Sequence, residues 1–379
     1  MKIALINEGR LPIYGGGQIH VDKLSQILIQ DYGFQVDLFT RKIKTPEGEI
    51  FDQNEVNQYG LQINRVGPTS IFFNGYYRVM WLLTVTVALF QKAKKEKYDI
   101  LHAHAMLPGI PAKIVGFLLN IPVVYTVHGT MFMDSGRKGF SYLIEKLMTC
   151  GIRYNLEISV SSNILRYQNR NKNIKIIYNG VDLKVLDSIK TSGKYSKRTF
   201  ITVARMDWQK NHQIILDAIV KIGKEFFVKK NIQFLRIGDG LKEQELRGFI
   251  QKHDLWDIVI LKGRLNFEET ISEYKKSQLF LLPSLGEGQP LTVLEAMGCG
   301  LPVLATNVGD NSFFIKNDLN GELFEPGNVE EVVRVLRKYG ELHSETLEKM
   351  WYQGKKWVQN YSREECVKKV VEGYTEILD

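Results

Sequence analysis

Apolar positions along the chain follow two alternating patterns. Short runs rich in aliphatic and β-branched residues occupy 2–7, 34–40, 98–102, 123–128, 157–161 and 174–178. Runs of that length, bounded by polar or glycine-containing segments, predict buried strands. Between the first two, Ile19, Val21, Leu24, Ile27 and Leu28 recur near helical spacing and predict a helix over 18–30. A second helix is expected over 111–119. The segment 188–199 (SIKTSGKYSKRT) then breaks the pattern: it is polar, contains glycine and has no hydrophobic period, which marks a linker or surface crossing. Beyond it the alternation restarts, with strands expected at 199–204, 233–237, 258–262, 279–282 and 303–306 and helices at 213–222 and 243–253.

Strand–helix–strand alternation requires parallel sheets with crossover helices. The fold class is therefore α/β, with two doubly wound domains over about 1–187 and 188–360 and a closing segment 361–379. In such sheets ligands bind beyond the carboxyl ends of the strands, at the point where the strand order reverses. Two domains face to face would share one ligand cleft.

Composition narrows the class. The 379 residues are 44% hydrophobic and 24% charged, as in a soluble globular protein. The three cysteines, Cys150, Cys299 and Cys366, have no metal-ligand spacing, and we expect a reducing, cytoplasmic setting. The N-terminus lacks the apolar length of a signal peptide. The longest apolar run, VMWLLTVTVALF at 79–90, is shorter than the roughly 20 residues that span a bilayer. The net charge of +8 lies wholly in residues 1–190, which points to an anionic partner or membrane surface for that half, or to lysines that merely solvate helices.

Three motifs carry candidate chemistry. Gly15-Gly16-Gly17 follows the first strand and opens the helix over 18–30. Glycines there let backbone amides approach a ligand, and a helix N-terminus favours negative charge, so the segment suits a diphosphate; a plain flexible turn is the alternative. Arg205 and Lys210, in ARMDWQKN, follow the strand at 199–204; arginine offers a fork and lysine a point charge to a diphosphate, and a solvated loop is the alternative. The most specific element is EGQPLTVLEAMGCGLPVLAT, in which Glu287 precedes a helix over 291–297 and Glu295 lies within it. Pro290 suits the first turn, and the amides of Leu291 and Thr292 would point at a ligand. Leu291, Val293, Leu294, Ala296 and Met297 are apolar, so this helix is buried and its glutamates need partners.

Taken together, GGGQIHV, DILHAH, TVHGT, YNGVD, ARMDWQKN, RIGDG and EGQPLTVLEAMGCGLPVLATNVG resemble glycosyltransferase family 4, the retaining enzymes of the GT-B fold, in order along almost the whole chain. The E-x7-E element from Glu287 to Glu295 is the most specific part of that match. The resemblance implies that Gly16, with Gly17, contacts the distal phosphate of a nucleotide-sugar donor, commonly a UDP- or GDP-sugar. It implies that His128 lies near the sugar and acceptor, and that Arg205 and Lys210 neutralise the leaving diphosphate. Glu287 would hold the transferred sugar and Glu295 the ribose. Gly238 and Arg264 fall where the family contacts the nucleoside, and Gln18 falls on the acceptor side. The segment at 361–378 matches the helix that crosses back onto the first domain. Gly309-Asp310-Asn311-Ser312 and Asp207-Trp208-Gln209 depart from the usual family residues.

The implied mechanism needs no metal. Negative charge builds on the departing diphosphate, and cations with helix amides aimed at it stabilise that charge. No Asp-x-Asp is assigned to a metal, and no cofactor is expected beyond the donor. No carboxylate stands out as a covalent nucleophile, which suits a same-face reaction in which the leaving phosphate takes the acceptor proton. His102 and His104 are read as packing residues. A non-catalytic nucleotide-sugar scaffold and a nucleotide-sugar epimerase or sugar phosphorylase are the competing readings; survival of the charged set disfavours the first and E-x7-E the second. The acceptor is expected to be a glycan or a lipid-linked glycan of cell-envelope polysaccharide, lipopolysaccharide or glycolipid synthesis. Segment 71–97 is rich in aromatic and aliphatic residues, among them Tyr76, Tyr77 and Trp81, and ends in Lys92, Lys94, Lys95 and Lys97. It is the candidate for peripheral membrane association; a buried crossover helix with a solvated lysine end is the alternative.

Overall fold

The computed structural model describes residues 1–10, 16–45, 48–70, 75–128, 146, 150–166 and 171–379. Contacts divide the chain into two compact units, one of Met1–Tyr178 with Cys366–Asp379 and the other of Asn179–Glu365. The sequence pattern put the change at 187/188. Each unit is built on one mainly parallel sheet.

In the first unit the described strands are β1 Lys2–Asn7, β2 Gln35–Lys44, β3 Ile50–Phe51, β4 Glu55–Val56, β5 Gln62–Ser70, β6 Ile100–His104, β7 Val123–Val127, β8 Leu156–Ser159 and β9 Ile174–Ile176. They pair in the order β4-β5-β2-β1-β6-β7-β8-β9, with β3 beside β2. Only β3 and β4 run antiparallel, at one edge. β1, β6 and β7 are buried along nearly their whole length, as expected of strands covered on both faces. One face carries α1, Gly16–Gln30, with Val21, Leu24 and Leu28 in its core. The other carries α2, Gly75–Glu96, through the stripe Trp81, Val85, Leu89 and Ala93. Beside α2 lies α3, Met106–Leu119, which starts earlier than its prolines suggested because Pro108 falls within its first turn. The C-terminal helix Arg363–Leu378 joins the α1 face through Cys366, Val367, Val370 and Tyr374. Its Gly373 packs so closely on Leu156 that a side chain there would clash.

In the second unit β10 Arg198–Val203, β11 Ile232–Ile237, β12 Val259–Gly263, β13 Leu279–Leu282, β14 Val303–Thr306 and β15 Gly321–Phe324 form a sheet in the order β12-β11-β10-β13-β14-β15, all parallel. Helices Gln213–Ile222 and Val329–Glu341 pack into one core over it.

Strand order reverses between β1 and β6 in the first unit and between β10 and β13 in the second. These are the switch points at which ligands of doubly wound sheets bind.

Candidate active site

The second unit brings most of the charged candidates to its switch point. Arg205 and Lys210 follow β10, and Ser284 and Glu287 follow the neighbouring β13. Lys210 Nζ donates to Glu287 Oε1 at 2.6 Å, and the Ser284 hydroxyl donates to the same oxygen at 2.6 Å. The lysine side chain is 18% exposed and the glutamate 8%, so this is a largely desolvated pair. The two loops are laced by backbone as well: Leu285 N donates to Gln209 O, and the Gln209 amide donates to Gly286 O. Beneath them the Thr306 hydroxyl bonds to Ser284 O at 2.6 Å, and the Asn311 amide bonds to Thr306 O. Gly309, at φ +54°, lies against the Glu287 carbonyl where a side chain has no room.

Arg205 is different. Its guanidinium is 74% exposed and meets Asp207 Oδ2 at 3.2 Å, while Asp207 Oδ1 accepts the Lys210 amide at 3.1 Å. Both cations expected to meet a diphosphate are therefore already paired, and the four side chains sum to zero charge. The Arg205 carbonyl is fixed from below. Buried Arg236 donates to His212 Nδ1 at 3.1 Å, which leaves Nε2–H of His212 to donate to Arg205 O, also at 3.1 Å. Burial pushes Arg236 down to about 9, and burial with the Arg236 charge pushes His212 down to about 3. Ser284, His212 and Arg236 were not singled out from sequence, and Asp207 and Gln209 only as departures from the usual family residues. Asp207 and Ser284 meet candidates within their own loops, Gln209 reaches one through the β10–β13 pairing, and His212 and Arg236 do so at the buried end of β11.

Helix Leu291–Gly298 begins at Pro290 without a side-chain cap, so its leading amides at Leu291 and Thr292 have no capping partner from Pro290. Glu295, one turn in, has its carboxyl pushed up to about 7 by desolvation, against the pull of Arg363. Before this helix, Gln289 clamps the backbone of Asn179: its oxygen accepts Asn179 N and its amide donates to Asn179 O, both at 2.7 Å. Gly180 next to it lies against Ser362 and Arg363 with no room for a Cβ.

The two nucleoside candidates separate. Gly238, at φ +132°, abuts the Ala204 carbonyl, and Gly240, at φ +149°, abuts that of Met206, so both glycines are required by the approach of this loop to the Arg205 segment. Arg264 follows β12 at the sheet edge and is exposed.

In the first unit the switch point holds Gly16, Gly17 and Gln18 at the start of α1, His104 at the end of β6 and His128 after β7. A Cβ on Gly17 would touch the His128 ring at 3.7 Å, an ordinary contact. Gln18 is half-buried. Gly15 and Gly129 lie outside the described residues. His128 Nε2 and His104 Nδ1 share a hydrogen bond at 3.0 Å, and the His20 ring lies edge-on to His128 with centroids 4.8 Å apart. Burial lowers His128 to about 4 and His104 well below the usual imidazole range, so both rings are neutral at pH 7. His102 is a packing residue, bonded to the Tyr374 hydroxyl at 2.6 Å and to Thr126 Oγ1 at 2.7 Å. His104 is not merely that, since it contacts a candidate directly.

Two family models cover the chain almost end to end. "Glycosyltransferase Family 4" matches residues 14–185 and "Glycosyl transferases group 1" matches residues 187–357. The chain belongs to glycosyltransferase family 4. It is a glycosyltransferase of the GT-B fold, with two Rossmann-like domains. Among curated relatives it is similar to an Escherichia coli UDP-Gal:alpha-D-GlcNAc-diphosphoundecaprenol alpha-1,3-galactosyltransferase, 28% identical over 78% of this chain and 83% of that protein. Among solved structures it is similar in fold to a sucrose-phosphate synthase from Thermosynechococcus elongatus, with TM-score 0.78, 20% identity and coverage of 99% and 98% of the two chains. It also resembles Anabaena HepE solved in complex with UDP, with TM-score 0.76, 16% identity and coverage of 99% and 100%.

Proposed function

We propose that this glycosyltransferase moves a sugar, with retention, from a UDP- or GDP-sugar to a lipid-linked or cell-envelope glycan, without a metal ion. The observation that carries the donor side is the Lys210–Glu287–Ser284 group with Arg205 beside it at the β10/β13 switch point. A nucleoside diphosphate leaving an anomeric carbon gathers negative charge, and Lys210 and Arg205 stabilise that charge by exchanging their carboxylate partners for phosphate oxygens. Glu287, released from Lys210 and still held by Ser284, then accepts sugar hydroxyls. Glu295, whose carboxyl is short of compensation, accepts the ribose hydroxyls. UDP in the Anabaena structure and UDP-Gal in the Escherichia coli relative's name support a uridine donor. The test is product analysis with UDP- and GDP-sugars, with and without lipid-diphosphate glycan acceptors and with EDTA. Acceptor-dependent transfer that survives EDTA and yields the α-anomer from an α-linked donor is expected. Donor conversion without acceptor would identify an epimerase, and strict Mg²⁺ or Mn²⁺ dependence would overturn the charge argument.

We further propose that the first unit docks on an anionic membrane. Among the described residues, no helix is long and apolar enough to cross one. Trp81 is fully buried and is removed from the expected interface, whereas Tyr76, Val79, Leu83 and Val87 form an exposed stripe on α2. The neighbouring α3 adds exposed Phe117 and Leu118. Lys92 is tied to Asp37 and Asn64, which leaves Lys94, Lys95 and Lys97 as the exposed cations, each worth about 1 kcal/mol near an anionic surface. Residues 71–74 lie outside the described residues. Co-sedimentation should require anionic vesicles, fall with salt, and weaken in Lys94→Gln/Lys95→Gln/Lys97→Gln and in Leu83→Ser/Phe117→Ser. Equal recovery in the supernatant with anionic and neutral vesicles would sink this part.

A further inference from the structure

We infer that His20, His104 and His128 form a binding site for a borderline transition-metal ion, of which Zn²⁺ is the probe of choice. Three different elements deliver these residues: α1, the end of β6, and the segment after β7. One ligand nitrogen from each lies within 4.8 Å of the other two. The His104–His128 pair is already at 3.0 Å. A tetrahedral centre with metal–nitrogen bonds of about 2.0–2.1 Å separates its ligand atoms by roughly 3.3–3.4 Å. The pair therefore opens slightly and His20 closes by rotating its ring.

His104 is 0% exposed, and among the described residues neither its Nε2 nor the buried His128 Nδ1 has a partner. Buried side-chain nitrogens are nearly always paired. These two are the ring nitrogens opposite the Nδ1 of His104 and Nε2 of His128 that would bind the ion, the positions at which a metal-bound histidine carries its N–H. The neighbouring His102 shows the contrast, since both its nitrogens are used by Thr126 and Tyr374.

The donor set decides the class of ion. Three imidazoles, with no carboxylate or thiolate among the described residues of the cluster, suit Zn²⁺, Cu²⁺, Ni²⁺ or Co²⁺ and are a poor match for Mg²⁺, Ca²⁺ or Mn²⁺, which prefer oxygen. Three protein ligands leave a fourth position for water or a bound molecule. His20 and His128 are only partly buried. An ion held here occupies His128, so it inhibits transfer; that consequence rests on the transferase reading, whereas binding does not.

The test uses the full-length chain, stripped with a chelator and dialysed against Zn²⁺ or Co²⁺. We expect one equivalent per chain, visible d–d absorption of a low-coordinate Co²⁺ site, and a rise in melting temperature with Zn²⁺. His20→Gln and His104→Gln should each weaken binding by more than the roughly 10–100-fold typical of losing an outer-shell partner. The His253→Gln/His343→Gln double variant, which removes two histidines of the second unit, should bind as the parent does. Should His104→Gln melt early without metal, His20→Gln, on a partly exposed helix face, decides alone. Absence of uptake by the parent chain, or full uptake by His20→Gln, overturns the proposal.

Discussion

Replacing Lys210 by methionine should damage stability and turnover together, and a second substitution should separate the two. The ion pair with Glu287 is 2.6 Å long with both side chains mostly buried, so the variant leaves a carboxylate desolvated and short of one partner. Removing one member of a fully buried pair costs about 3–5 kcal/mol. Here Ser284 still donates to Glu287 and Lys210 keeps some exposure, which lowers the expectation to about 1–3 kcal/mol. For a unit of this size that is a fall of roughly 2–12 °C in melting temperature. Turnover should drop by about 10²–10³, the usual cost of one transition-state electrostatic donor. Adding Glu287→Gln removes the uncompensated charge and should restore most of the stability, while activity stays lost. Differential scanning calorimetry of the four proteins closes the cycle, and initial rates with the active donor complete it. A coupling energy below about 0.5 kcal/mol, within the additivity of independent sites, would refute the claim that these residues act as a pair. Parental turnover in Lys210→Met would remove the lysine from catalysis.

Two further outcomes follow from buried groups near the same switch points. The Glu295 carboxyl is raised to about 7 from an ordinary value near 4.5, so the folded protein binds the proton more tightly than the unfolded chain; stability should fall as pH rises from about 4.5 to 7, by up to about 3 kcal/mol, and level off above, and Glu295→Gln should flatten that slope in denaturant titrations. Gly238→Ala should lower the melting temperature and activity because its Cβ overlaps the Ala204 carbonyl at a positive φ, whereas Gly17→Ala, with a Cβ at ordinary contact distance from His128, should fold normally and lose donor affinity; thermal melts and nucleotide titrations distinguish the two, and unaltered melting of Gly238→Ala would refute the packing argument.

Much of this architecture is legible in the chain because buried parallel strands are uninterrupted apolar runs. β1, β13 and β14 fall where the pattern placed them, and β10, β11 and β12 shift by a residue at their ends. The strand β5 escaped notice, since QINRVGPTS carries polar residues, glycine and proline; it lies next to the edge, where the two-residue β4 pairs only with Gln62 and Ile63. β15, GELF, starts with glycine and glutamate and so lacks the apolar run that marks the equally short β13 and β14. Charged candidates were visible by type and by their place after a strand, but their partners were not. Nothing in ARMDWQKN says that Asp207 neutralises Arg205 and orders the Lys210 amide, because that depends on how the loop turns. Nor does HAH say that its second histidine meets His128 while its first meets Tyr374 across 272 residues. Alternation along β6 sends His102 and His104 to the same face, and only the strand order decides what each finds there.

Asp207 shows how far such hidden partners shape the chemistry. Arg205 and Lys210 are balanced by Asp207 and Glu287, so the groups at the β10/β13 switch point carry no net charge before a ligand arrives. Binding a diphosphate is then an exchange of carboxylate for phosphate and not a simple filling of a positive pocket. For Lys210 the exchange is useful, since it frees Glu287 for the sugar. For Arg205 it is only a cost, and an exposed pair of this kind is worth about 0–1 kcal/mol. Asp207→Asn keeps an oxygen for the Lys210 amide and releases Arg205, so nucleoside diphosphate affinity should rise by up to roughly fivefold, with the melting temperature unchanged. Isothermal titration with UDP and GDP measures it, and the gain should shrink at high salt as the freed charge is screened. Weaker binding by a normally folded Asp207→Asn would show that the carboxylate positions Arg205 for phosphate, and the exchange argument would fail at that residue.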